Sequence, residues 1–193
     1  LTDALSKLTR QREFTQFVDD IEDCIIDVNS YLRELSGGED KVIGTTVVGM
    51  ALQGSHIIYY WVGDSRVYRF RQDHLEQLSI DHTYLQELVD DGKLSPDEVS
   101  EHPDKSVITR AVGADDEVFA DFEIDEIRDG DIYLLCSDGI EKVLDDDQVE
   151  TIVRNHGSNI EAAGQEIMDL VLGGGSPDNV TLIFVEISRN NRG

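Results

Sequence analysis

Ile57-Ile58-Tyr59-Tyr60-Trp61-Val62-Gly63-Asp64-Ser65-Arg66-Val67-Tyr68-Arg69-Phe70-Arg71 is the stretch on which the fold class turns. Two runs of β-branched and aromatic residues, Ile57–Val62 and Val67–Arg71, are divided by Gly63-Asp64-Ser65. That composition and that break spell strands rather than a helix. Working outward, Val42–Leu52 precedes them across Gln53-Gly54, and Leu75–Ile80 follows across Gln72-Asp73-His74. The series predicts strands in hairpin succession. Further strands are expected at Val118–Ile124, Asp131–Ser137 and Val180–Ile187.

The period changes on either side. From Glu13, the residues Phe14, Phe17, Val18, Ile21, Cys24, Ile25, Val28, Tyr31, Leu32 and Leu35 recur at three- and four-residue steps, one face of a helix that Ser36-Gly37-Gly38 ends. Leu1, Ala4, Leu5 and Leu8 keep that period and read as the tail of an earlier helix. A helical insertion of about 81–107 is expected within the sheet region, with Tyr84–Val89 as one helix and Ser95-Pro96-Asp97-Glu98 as the capped start of another. Two more helices follow Asp145 and Ile160, and Gly173-Gly174-Gly175 reads as a flexible loop. Helices beside largely antiparallel strands, without βαβ alternation, give an α+β class and one domain over 1–193.

Acidic residues number 41 against 16 Lys and Arg, a net charge of −25. Such a field repels nucleic acid and anionic membranes, so neither is an expected partner. It also repels phosphorylated substrates, unless a bound divalent cation supplies local positive charge. No leader or membrane-spanning run is visible in the sequence, and we expect a cytoplasmic monomer. The two cysteines, Cys24 and Cys136, fall on a helix face and an apolar strand, where reduced, buried thiols are expected.

Three aspartates stand where a strand meets a turn: Asp64 in Gly63-Asp64-Ser65-Arg66, Asp138 in Ser137-Asp138-Gly139, and Asp178 in Pro177-Asp178-Asn179. Magnesium and manganese take such carboxylate oxygens, few from protein and the rest from water. Each motif alone is weak, since an aspartate beside glycine or proline after a strand is usually only a turn. The aspartates Asp145-Asp146-Asp147 read as a helix cap rather than a metal cluster. His82 and His102 are candidate proton donors or structural residues. Arg66 and Arg110 are expected to pair with carboxylates before contacting phosphate.

In sequence, Gly44-Thr45-Thr46, Gly63-Asp64-Ser65-Arg66, Thr109-Arg110-Ala111-Val112-Gly113, Ser137-Asp138-Gly139 and Asp178-Asn179-Val180-Thr181 resemble the motif series of the bacterial type-2C, metal-dependent serine/threonine protein phosphatases. The resemblance runs from residue 1 to about Ile187. It implies two packed sheets flanked by helix pairs, with the 81–107 insertion as a flap. It implies Mg2+ or Mn2+ as cofactor, Asp138 and Asp178 as ligands of the first metal, and Asp64 with Asp138 at a third metal. It also implies phosphorylated proteins as substrates, with a cognate Ser/Thr kinase as partner, and hydrolysis by a metal-activated water.

The family's Asn-Glu-Asp and Asp-Gly-x-Gly-Gly motifs, with the bridging aspartate, and its phosphate-gripping arginine are not found in residues 1–193. We therefore expect a fragment of impaired activity. A regulatory pseudophosphatase domain is the alternative from another class. A haloacid-dehalogenase-like hydrolase fits less well, because the position two before Asp138, where a nucleophilic aspartate is required, is Cys136.

Overall fold

The computed structural model describes residues 14–37, 41–99, 102–175 and 178–188. The helix expected over Leu1–Leu8, Gly38, and the Ser176-Pro177 turn lie outside them. Within the described residues the chain runs α1 (Phe14–Ser36), β1 (Val47–Gln53), β2 (His56–Val62), β3 (Arg66–Arg71), β4 (His74–Gln77), α2 (Tyr84–Asp90), α3 (Pro96–Val99), β5 (Asp121–Glu126), β6 (Ile132–Cys136), α4 (Asp146–His156), α5 (Ile160–Gly173) and β7 (Leu182–Glu186). The strands form two sheets, β1-β2-β5 and β4-β3-β6-β7, and every pairing is antiparallel. The α+β class and the packed pair of sheets are as expected.

The side-chain alternation of a strand explains the layering. On β2, Ile57, Tyr59 and Trp61 point between the sheets, where they meet Val67 of β3 and Tyr133 and Leu135 of β6. The intervening Tyr60 and Val62 face α1, packing on Ile21 and Ile25. On β6 the other face carries Ile132, Leu134 and Cys136 against Val149, Ile152 and Val153 of α4 and Ala163, Ile167 and Val171 of α5. Because both faces of β2 and β6 are covered, their sequences are unbroken apolar runs. Each fully buried Ile or Val of this kind contributes about 1.5–3 kcal/mol. Cys136 is part of that interior, and burial pushes its thiol up to about 12; Cys24 is half-buried and also free.

One expectation fails informatively. Gly63-Asp64-Ser65 is not a hairpin turn: β2 pairs with β1 and β5, whereas β3 pairs with β4 and β6, so the chain changes sheets between Val62 and Arg66. Gly63 permits the crossing. Its φ is +107°, and a Cβ there would lie 2.3 Å from Thr46 Cγ2. Strand limits also differ from the sequence reading. Val42 is exposed and outside the sheet, and β1 starts only at Val47, after a bridge between Thr45 and Val112. At the end of β4, the amides of Leu78 and Ser79 both turn onto Val67 O, at 2.8 and 3.4 Å, which ends the ladder.

The insertion between β4 and β5 is closed at its base by the Thr83–Ile108 bridge and by Thr109 N–H to His82 O (2.8 Å). Thr83 caps α2 through Gln86 N–H, and Leu85 is fully buried beneath it. The Asp145 carboxylate and the Gln148 side chain form a reciprocal capping box on α4, the role expected of the aspartate run. Among the described residues no helix is long and apolar enough to cross a membrane.

The apolar face of α1 is narrower than its periodicity suggests, since Tyr31 and Leu35 stay exposed. Its buried face instead contains Asn29, 2% exposed. Asn29 Oδ1 accepts the Gly113 amide at 2.6 Å, and Nδ2 donates to Asp115 O at 3.0 Å. Gly113 has φ +95°, and a Cβ there would fall 2.2 Å from Ile43 O and 2.8 Å from Leu32 Cβ of α1, so this loop can approach α1 only as glycine. Asn29→Ala strands that buried amide, a loss of about 1–3 kcal/mol. Urea unfolding should show it; a change under about 0.5 kcal/mol, the scale of ordinary surface substitutions, would contradict the anchor role.

Candidate metal centre

Strand register brings the three aspartates together. Arg66 pairs with Cys136, and Cys136 with Leu182, so β3, β6 and β7 share one row at their common end. Asp64 stands two residues before Arg66, Asp138 two after Cys136, and Asp178 four before Leu182. All three overhang the same edge of the four-stranded sheet. The loops there are tied: Ser137 N–H donates to Thr181 O at 3.0 Å, and Thr181 N–H returns to Ser137 Oγ at 3.0 Å. Gly139 lets them touch, because a Cβ would lie 2.5 Å from Asn179 O. On the Asp64 side, Ser65 Oγ and Thr46 Oγ1 are hydrogen-bonded at 2.9 Å.

Asp138 and Asp178 converge on one positive charge. Lys142 Nζ lies 2.5 Å from Asp138 Oδ2 and 2.6 Å from Asp178 Oδ2. The Asn179 amide donates to the other Asp178 oxygen at 2.8 Å. The Lys142 hydrogen bond and this amide hold the Asp178 carboxyl below its ordinary range. Burial alone would lower the Lys142 pKa, but the hydrogen bonds to both carboxylates outweigh it and raise the value. Asp64 is shifted upward, first by burial and then by the neighbouring Asp138 charge. Glu141 is pushed up to about 7, chiefly by burial, with Arg66 opposing and the charges of Asp81, Asp138 and Asp64 adding.

Among the described residues no group of three or more His, Cys, Asp or Glu side chains is arranged to hold a metal ion. The donor set is instead a pair of hard carboxylates already gathered around a cation, with a third carboxylate in electrostatic reach. That suits magnesium or manganese, which keep several waters and need one or two carboxylates.

The remaining sequence candidates find partners. Arg66 NH2 meets Asp81 Oδ2 at 2.6 Å and also pairs with Glu141, while Arg110 NH1 meets Asp121 Oδ1 at 3.1 Å. Both arginines are paired with carboxylates, as expected. His82 is structural: Nδ1 accepts the Gly63 amide at 3.1 Å, so the proton is on Nε2, which donates to Asp121 Oδ2 at 3.0 Å. Its own amide donates to Gly63 O at 3.0 Å. Ring and backbone of His82 thus clasp Gly63, the residue preceding Asp64, at its N–H and its C=O respectively. His102 takes the Asp104 amide on Nδ1 at 3.2 Å. Sequence reasoning missed Lys142, Asp81 and Glu141. The only signal for Lys142 was its place four residues after Asp138.

The chain is 32% identical over 174 residues to a putative protein phosphatase 2C-type of Streptococcus pyogenes serotype M6, covering 90% of this chain and 70% of that one. It belongs to the protein phosphatase 2C-type family. No family model matches the chain. It is 34% identical over 145 residues to the serine/threonine protein phosphatase PstP of Mycobacterium tuberculosis, where it spans only 28% of the relative's length. Among solved structures, the serine/threonine phosphatase of S. agalactiae superposes with TM-score 0.88 at 30% identity, over 97% of this chain and 78% of that one. The PstP catalytic domain in complex with two manganese ions superposes with TM-score 0.81 at 28% identity, over 97% and 79%. A groove of about 550 Å3 between α5 and β7 is lined by none of the three aspartates.

The clasp on Gly63 gives a pH signature. Burial holds His82 below its ordinary pKa despite Asp121. The folded state therefore favours the neutral ring, so its stabilisation is complete above the ordinary histidine value near 6.5 and is lost as pH falls toward the lower folded value. Urea unfolding at pH 7.5 and 5.5 should show wild-type stability dropping with acid, and His82→Asn should flatten the drop. Equal slopes in both proteins would contradict the assignment.

Proposed function

We propose that this chain carries part of the site of a metal-dependent phosphatase acting on phosphoserine and phosphothreonine in proteins, with Asp138 and Asp178 holding a magnesium or manganese ion. One observation carries the reading: in a 2C-type chain, two carboxylates from different loops meet around a single point of positive charge, 2.5 and 2.6 Å away. Asp64 is assigned to a further, mostly water-bound ion shared with Asp138. Its upward shift, caused first by burial and then by the Asp138 charge, supports that role, since a cation between like charges relieves them. The substrates are proposed to be products of a serine/threonine kinase.

A bound divalent ion would lower the pKa of a water and neutralise charge on the phosphoryl oxygens. The chain's own residues hold the carboxylates in place for it. The tied Ser137 and Thr181 amides fix Asp138 relative to Asp178, and His82 fixes the peptide that aims Asp64. Arg66 pairs with both Asp81 and Glu141 and offsets part of their negative charge beside the site.

In a version of the protein carrying the family's Asp-Gly-x-Gly-Gly segment ahead of residue 1, Asp138→Asn should lower Mn2+-dependent phosphate release from a phosphothreonine peptide by at least a hundredfold, with an unchanged circular dichroism spectrum. Asp64→Ala should instead change the concentration of Mn2+ required and keep the tightly held ion. Near-normal turnover of Asp138→Asn at saturating Mn2+ would overturn the reading.

A further inference from the structure

We infer that Lys142 is a tethered competitor for the metal: its ammonium occupies the position between Asp138 and Asp178 until a divalent cation displaces it. The inference rests on the reading of those two residues as metal ligands. Lys142 lies in the turn after β6, where Val143 N–H and Leu144 N–H both donate to Ile140 O, at 3.0 and 2.9 Å. Ile140 and Leu144 are buried against the α4–α5 side of the sheet. These anchors fix the turn that carries Lys142, whose side chain reaches back to Asp138 four positions earlier. From there the lysine stem reaches Asp138 and also Asp178, 36 residues away in sequence.

The arrangement is not an ordinary surface ion pair. The lysine side chain is 22% exposed and Asp138 23%, so solvent screens that pair only partly, while Asp178 is the more open partner at 47%. Two anions this close would repel each other strongly without a shared cation. In a chain of net charge −25, acidic partners for a free lysine abound, yet this one sits where both carboxylates point. The flexible four-carbon stem also makes it displaceable. It can swing into solvent, or onto another carboxylate, without moving the backbone. Metal entry and lysine exit are then one exchange. The protein neutralises its own site when metal is scarce, at the expense of weaker metal binding.

Two consequences separate this role from simple surface charge. Removing the ammonium should tighten Mn2+ binding, and it should also destabilise the metal-free protein, whose carboxylates lose their only shared cation among the described residues. A neutral lysine substitute therefore responds more to metal than the wild type does. The test is calorimetric titration of Mn2+ into the chain, with thermal unfolding in EDTA and in excess Mn2+. Lys142→Met and Lys142→Gln should each bind Mn2+ about tenfold more tightly, melt lower than wild type in EDTA, and recover that difference in Mn2+. Lys142→Arg, which keeps the charge, should stay near wild type. Unchanged or weaker Mn2+ binding in both neutral variants, while Asp138→Asn does lose binding, overturns the lysine's role and leaves the ligand assignment standing. Full Mn2+ affinity in Asp138→Asn overturns both.

Discussion

The site depends on one row of the β-ladder. Arg66, Cys136 and Leu182 are successive partners across β3, β6 and β7, and a one-residue slip in either pairing would turn every side chain on the slipped strand to the opposite face. Register is protected because both faces of β6 are buried: Tyr133 and Leu135 lock it to the inter-sheet core, Leu134 and Cys136 to the helices. The apolar interior thus sets where the polar edge falls. Three loops leave the sheet at the same end, each with an aspartate two to four residues from the last paired position.

Charge at that edge is arranged in two tiers. Arg66 answers Asp81 and Glu141, and Arg110 answers Asp121. Lys142 answers both Asp138 and Asp178, and it is the more flexible, more readily displaced type of cation. The planar arginines hold scaffold carboxylates, while the lysine holds the pair assigned to the metal. His82 joins the tiers mechanically. It connects Asp121, at the start of β5, to the Gly63 peptide in the crossing that carries Asp64. The insertion that begins at residue 81 is therefore coupled by hydrogen bonds to the placement of a candidate ligand.

Much of this was legible from sequence, for identifiable reasons. Ile57–Val62 and, within Asp131–Ser137, Ile132–Cys136 could be read as strands because burial on both faces leaves these runs no charged position to blur them. The aspartates stood out because each follows or precedes such a strand. What escaped was information about partners. Gly63-Asp64-Ser65 looks the same whether it reverses a hairpin or changes sheets, because the choice lies in which strands β2 and β3 pair with. Asn29 was hidden on an otherwise apolar helix face, since its partners lie more than eighty residues away. Lys142 was hidden because Asp178, half of its environment, is 36 residues distant.

Asp138 and Asp178 are proposed to share one cation site, held by Lys142 until metal arrives. Crystals of the chain grown with saturating Mn2+ and measured at the manganese absorption edge test it most directly. An anomalous peak coordinated by both carboxylates is expected, with the Lys142 ammonium withdrawn from them. Lys142 still bridging Asp138 and Asp178 at saturating Mn2+, with no peak between the carboxylates, would contradict it.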